Sequence, residues 1–112
     1  MLTVMDFGIF GSPVRDRILK LLVLIEDSYP RQLAERLDER LYTVQRAVDA
    51  LQAAGIVTSR LVGTIRRVEL NPTWYAASEL RVLLRRMAQA DPGLCAIARS
   101  IRRRPRRARK AL

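Results

Sequence analysis

The sequence predicts a mainly α fold with one small β-hairpin, and three stretches carry that reading. In Leu41 to Gly55 (LYTVQRAVDALQAAG), Val44, Ala47, Val48 and Leu51 recur at i, i+3, i+4 and i+7, which is one face of an α-helix. Just upstream, Pro30 to Leu37 reads as a shorter helix with Leu33, Ala34 and Leu37 inward. Just downstream, Ile56 to Val62 is rich in β-branched residues, and Ile65 to Leu70 returns after Gly63-Thr64. A short helix, a tight turn, a helix with a polar outer face and a hairpin are the parts of a winged helix-turn-helix.

Composition bounds what such a fold can do. A chain of 112 residues with 49% hydrophobic content is expected to form one domain with its own core. Aromatic residues make up only 5%, so that core should be aliphatic. One cysteine and no histidine exclude a disulfide framework and argue against a transition-metal site or a bound cofactor. They also remove the usual general base and most nucleophile pairs, so no enzyme is expected. Nothing at the N-terminus resembles a signal peptide. The most apolar run, Ile18 to Ile25, is too short to span a membrane, so no membrane partner and a cytoplasmic location are expected.

The formal charge of +10 is mainly a property of the C-terminus. From Arg99 onward there are eight basic residues and no acidic one. Subtracting these eight from the 21 in the whole chain leaves 13 basic against 11 acidic residues in the body. The folded part must therefore be judged by its pattern, not by its overall charge.

Taken in order, residues 1–11 (MLTVMDFGIFG) are apolar with two glycines and are expected as an arm or short helix. Ser12-Pro13 is a good helix start, since Ser accepts from unpaired N–H groups and Pro suits the first position. The helix from Pro13 to about Glu26 is apolar almost all round. Either a partner chain covers part of it, or the domain's own elements wrap it. Asp27 to Tyr29 can supply a short strand. Between Leu37 and Leu41, the turn Asp38-Glu39-Arg40 lacks the glycine often found there, and Asp38 is the residue able to take a positive φ. Gly55 closes the next helix, and Asn71-Pro72 stops the hairpin. A helix is expected over Trp74 to Gln89, with Leu80, Leu83, Leu84 and Met87 buried. A last short helix starts at Pro92 with Leu94, Ile97 and Ile101 on one face. Beyond it the chain is Arg-rich with Pro105 and should be disordered from about Arg102. The expected organisation is an arm (1–11), a winged helix-turn-helix (12–72), C-terminal helices suited to dimerisation (73–101) and a basic tail (102–112).

Four phrases, RILKLLVLIE, PRQLAERL, TVQRAVDALQAAGIVTSR and VGTIRRVELNP, resemble the winged helix-turn-helix transcriptional regulators of the ArsR and MarR type. The resemblance runs from about Ser12 to Met87. It implies that the helix matching Leu41–Ala54 enters the major groove of double-stranded DNA. The hairpin matching Ile56–Leu70 then touches the minor groove or backbone, and the flanking helices form a homodimer. It also implies bacterial or archaeal gene regulation, often repression. Metal-sensing members use clustered Cys and His, whereas this chain offers Cys95 alone, in an apolar setting that suits a small core residue.

Specific residues suit that role. Arg46 is the main candidate for a base contact, because an Arg in the major groove can bond O6 and N7 of guanine together. Arg40, Tyr42, Thr43 and Gln45 are candidates for neighbouring base edges or phosphates. A solvated helix face offers the same residue types, and it is their position between a matching helix and a hairpin that favours DNA. Asp49 would repel phosphates unless it accepts from a cytosine amine. Arg60, Arg66 and Arg67 lie near the hairpin tip with only Glu69 against them, suited to phosphates or a narrow minor groove. Strand alternation sends Arg66 and Arg67 to opposite faces. In the tail, Arg102, Arg103, Arg104, Arg106, Arg107, Arg109 and Lys110 suit nucleic-acid binding without sequence preference. The expected function is a sequence-specific DNA-binding regulator. The alternatives are an antitoxin-like or assembly module that binds a protein partner, and a non-specific architectural nucleic-acid binder.

Overall fold

The computed structural model describes residues 8–110, with side chains from Gly8 to Arg102. In chain order the elements are α1 (Pro13–Ile25), β1 (Asp27–Ser28), α2 (Pro30–Leu37), α3 (Leu41–Ala53), β2 (Val57–Val62), β3 (Ile65–Leu70), α4 (Ala77–Gln89) and α5 (Pro92–Lys110). The strands form an antiparallel sheet in the order β1-β3-β2. The expected mainly α fold with a small hairpin is what the chain adopts.

Helix α1 is the centre. Ser12 caps it, its hydroxyl accepting from the Arg15 N–H at 3.2 Å, and Pro13 opens it. Ile18, Leu19, Leu21 and Leu22 are fully buried, against α3 on one side and α4 and α5 on the other. The helix is thus wrapped by its own chain, and its all-round apolarity needs no partner. Leu94 and Ile101 of α5 are buried in the same core, with Ile97 packed against it. Both apolar surfaces that suggested a dimer are therefore satisfied within one chain.

The segment before α1 is held by Asp16, whose carboxylate accepts from the N–H groups of Ile9 and Phe10 at 2.8 and 2.9 Å. The expected arm falls largely on residues 1–7, outside the described residues; Gly8 to Gly11 form a turn. Between α2 and α3, Asp38 takes the left-handed conformation at φ 57°, and its N–H bonds back to helix carbonyls. A short polar side chain does here what glycine does more often.

Three expectations differ from the structure. Helix α4 begins at Ala77, because Asn71 first builds a turn: its side-chain oxygen accepts from the Thr73 N–H at 3.0 Å, and Trp74 closes a further turn onto the Ala77 N–H. Leu83 is 44% exposed, whereas Ala88 is buried. The buried face of α4 centres on Leu80, Leu84 and Ala88, which leaves Leu83 at its rim. Finally, α5 carries helical backbone through the Arg-rich stretch as far as Lys110, where the sequence reads as disordered from Arg102. Arg is a good helix former, and positive charge is favoured near a helix C-terminus. Both effects oppose the cost of Pro105, which cannot donate to the preceding turn.

The joint between α4 and α5 is fixed by Asp91. Its carboxylate accepts from the Leu94 N–H at 3.1 Å, capping α5, and from Lys20 of α1 at 3.1 Å. Burial raises its pKa, but the Leu94 N–H bond and the Lys20 and Arg17 charges outweigh this and hold it below the usual value. A lowered folded pKa means that the stabilisation is full above the unfolded value and is lost as pH falls through the folded one. We expect Asp91→Ala to lower stability in urea melts at pH 7 by about 1 kcal/mol. Asp91→Asn, which keeps the cap, should lose less. The gap between wild type and Asp91→Ala should narrow to that between Asp91→Asn and Asp91→Ala as the pH falls below the carboxylate range. Identical melts at pH 7 would show that neither contact matters.

Candidate nucleic-acid interface

Helix α3 is held from behind by Val44, Ala47, Val48 and Leu51, all buried. The period that buries these four turns Tyr42, Gln45, Arg46, Asp49 and Gln52 outward as one exposed stripe. Arg46 lies along that stripe against Tyr42, four residues before it. Its guanidinium carbon is 5.7 Å from the ring centroid, and its Nη1 donates to the Tyr42 hydroxyl at 3.0 Å. This uses one of five N–H donors and leaves the other four at an exposed position. Thr43 sits half-buried beside the stripe, and Arg40 is exposed at the helix start, its carbonyl accepting from Val44. Among the described residues, neither Arg40 nor Arg46 has a carboxylate within ion-pair distance.

The hairpin stands beside this stripe, pinned at its base and along its length. At the base, Asn71 donates through its side chain to the Gly55 carbonyl at 2.9 Å and through its backbone to Ile56. Gly55 closes α3 at φ +81°, and a Cβ there would also press on Trp74 at 3.3 Å. Along the length, strand register runs from Val57 opposite Leu70 to Val62 opposite Ile65. Gly63 takes φ 66° at the first of two turn positions, the pattern of a type II′ hairpin turn.

The wing arginines are on the hairpin as expected but are less free than the sequence suggested. More than Glu69 opposes them: two carboxylates from elsewhere in the fold complete the set. Arg66 crosses from the wing to α3, pairing with Asp49 at 3.0 Å and donating to the Gln52 side-chain oxygen at 2.8 Å. Ser59 joins both, donating to Gln52 at 2.8 Å and accepting from Arg66 at 3.3 Å. Arg67 points to the other face, as strand alternation required, and pairs with Asp27 of β1 while lying over the Tyr29 ring at 5.5 Å. Arg60 is 3.7 Å from Glu69 at an exposed position. The Arg66 pairing also answers the problem posed by Asp49, whose negative charge on the outward stripe is offset locally. Ser59 and Asp27 were missed, because nothing in their local spacing marks them; Gln52 lies on the outward period of α3, but its link to the wing is not local.

The basic C-terminus splits as well. Arg102 donates to the Leu24 carbonyl at 2.7 Å, satisfying the end of α1, so it belongs to the folded body. Arg103, Arg104, Arg106, Arg107, Arg109 and Lys110 follow on the last turns of α5. Among the described residues, no three His, Cys, Asp or Glu side chains gather as a metal site would need, and no helix is long and apolar enough to cross a membrane.

No protein-family model matches the chain, and no curated protein matches it. Among solved structures it is similar to Lactococcus lactis ZitR, a cysteine-to-serine mutant in complex with DNA, with a TM-score of 0.54 and 13% identity. The match covers 96% of this chain and 80% of that one. At that identity the likeness shows the fold, a winged helix-turn-helix.

The bridge between wing and α3 can be weighed directly. In a double-mutant cycle with Arg66→Ala and Asp49→Ala, urea melts should give a coupling of roughly 0.2–1 kcal/mol, the range for exposed ion pairs. Strict additivity would mean that the pair does not hold the wing.

Proposed function

We propose that this chain is a sequence-specific, double-stranded DNA-binding transcriptional regulator, with α3 in the major groove and the β2–β3 wing on the minor groove or backbone. The observation that carries the reading is the outward stripe of α3. Arg46 is held against Tyr42 with its donor fork free and no carboxylate beside it, next to a wing locked at a fixed distance. A side chain held ready in this way loses less entropy on meeting a base edge. ZitR, the fold neighbour, was solved on DNA, which supports the same use of the fold here. The resemblance to the ArsR and MarR type favours a repressor acting in the cytoplasm. Arg40, Thr43 and Gln45 would contact phosphates or adjoining base edges, and the basic end of α5 would add attraction without reading sequence.

A homodimer belongs to this proposal within the expected C-terminal region (73–101), through exposed side chains of α4 and not through the buried faces of α1 and α5. On and just before α4, Tyr75 (91%), Val82 (68%) and Leu83 (44%) are the exposed apolar side chains. A two-fold dimer reads two half-sites about one helical turn apart.

The test is selection of duplexes from a randomised pool by the full chain, followed by anisotropy titration. The expected outcome is a defined motif, arranged as an inverted repeat if the chain acts as a dimer. Arg46→Ala should then weaken binding to that motif by about 1–3 kcal/mol and relax preference at one base pair. Equal loss on selected and scrambled duplexes would reduce Arg46 to a phosphate contact, and the absence of any enriched motif would contradict the proposal.

A further inference from the structure

The wing tip is chemically unlike the rest of the interface. Between Arg60 and Arg66 lie five residues without charge, Leu61, Val62, Gly63, Thr64 and Ile65, all exposed. Leu61 is 74% exposed, Val62 51% and Ile65 45%, while Val57, Val68 and Leu70 at the wing base are buried. The arginines bordering the run are already engaged, Arg60 by Glu69 and Arg66 by Asp49. At the tip itself the polar groups are the Thr64 hydroxyl and the turn backbone, and no charged side chain stands among the five.

Register shows how these side chains are arranged. Leu61 pairs with Arg66, so it stands on the sheet face turned to α3, while Val62 and Ile65 pair with each other on the opposite face. The tip is therefore apolar on both sides. Apolar side chains that project in this way from a protein element are the kind inserted between base steps in the minor groove. A cleft between the tip and the starts of α2 and α3, lined by Pro30, Arg31, Leu41, Gln45, Thr64 and Ile65, partly shelters Ile65 and makes the tip continuous with the N-terminal end of α3.

We propose that the wing tip is an apolar wedge that enters the minor groove beside the α3 contact, unstacks a base step and bends the DNA. The inference rests on the DNA-binding reading above. Apolar side chains gain nothing from phosphates but do gain from the planes of parted bases, and proteins that insert such wedges kink the duplex by roughly 20–90°. The Arg66 bridge to Asp49 would orient the hairpin beside α3.

The test uses the full chain and a duplex enriched by it. Donor and acceptor dyes on the ends report bending, and 2-aminopurine placed at successive steps on the wing side reports unstacking. Anisotropy on the same samples reports binding. Wild type should raise energy transfer on binding and brighten 2-aminopurine at one step at least twofold. The variant Leu61→Thr/Val62→Thr/Ile65→Thr keeps strand propensity and changes no residue of the buried core. It should bind the same motif with both signals gone. Wild-type binding with neither signal, or a variant that bends the duplex as much as wild type, overturns the wedge while leaving the DNA-binding reading intact. A variant that alters only the mass seen by light scattering would make the tip a protein contact, which also overturns it. Absence of binding to any duplex removes both readings, and anisotropy separates that case.

Discussion

The structure depends on one constraint: α1 is apolar nearly all round and must be covered. In a chain of 112 residues every other element takes part. Helix α3 covers one side through Val44, Val48 and Leu51, α4 and α5 cover another through Leu84, Ala88, Leu94 and Ala98, and the wing base contributes Val57, Val68 and Leu70. Because an α-helix has a fixed period, burying Val44, Ala47, Val48 and Leu51 also decides that Tyr42, Gln45, Arg46, Asp49 and Gln52 face away. Display of the polar stripe follows from the packing behind it.

The wing is placed by a second set of interactions, which are polar. Asn71 and Gly55 settle how the hairpin leaves α3, and Arg66 with Asp49, Gln52 and Ser59 settles how far its tip stands from the stripe. Each exposed pair contributes little to stability. Together they limit the freedom of a hairpin whose fully buried apolar side chains end at Val68. The same pairing divides the surface by chemistry: a free guanidinium on α3, neutralised charges between, and an apolar tip.

Much of this was legible in the sequence because it is local. The periods of α2 and α3, the Ser12-Pro13 start, Asp38 in the left-handed turn, Gly55 as a stop and Gly63-Thr64 as the hairpin turn all follow from properties of neighbouring residues. What was not legible depends on distance in three dimensions. Asp27 lies 40 residues from Arg67, and only the sheet order β1-β3-β2 brings them together. Asp49 reads in sequence as an obstacle to DNA and becomes, through Arg66, part of the support for the wing. The choice between a self-wrapped and a partner-covered α1 likewise rested on packing that periodicity does not encode. Leu83 shows the limit of counting stripes, since one helical period admits more apolar residues than the core has room for.

The most direct test is a dimethyl sulfate protection map of a selected duplex bound by the full chain. The reagent methylates guanine N7 in the major groove and adenine N3 in the minor groove, so one gel reads both proposed contacts. The expected result is a protected guanine N7 flanked, about half a helical turn away, by protected adenine N3 positions, with the N7 protection alone lost in Arg46→Ala. Protection confined to one groove and unchanged by Arg46→Ala, or none at any base, would contradict a simultaneous reading of both grooves by α3 and the wing.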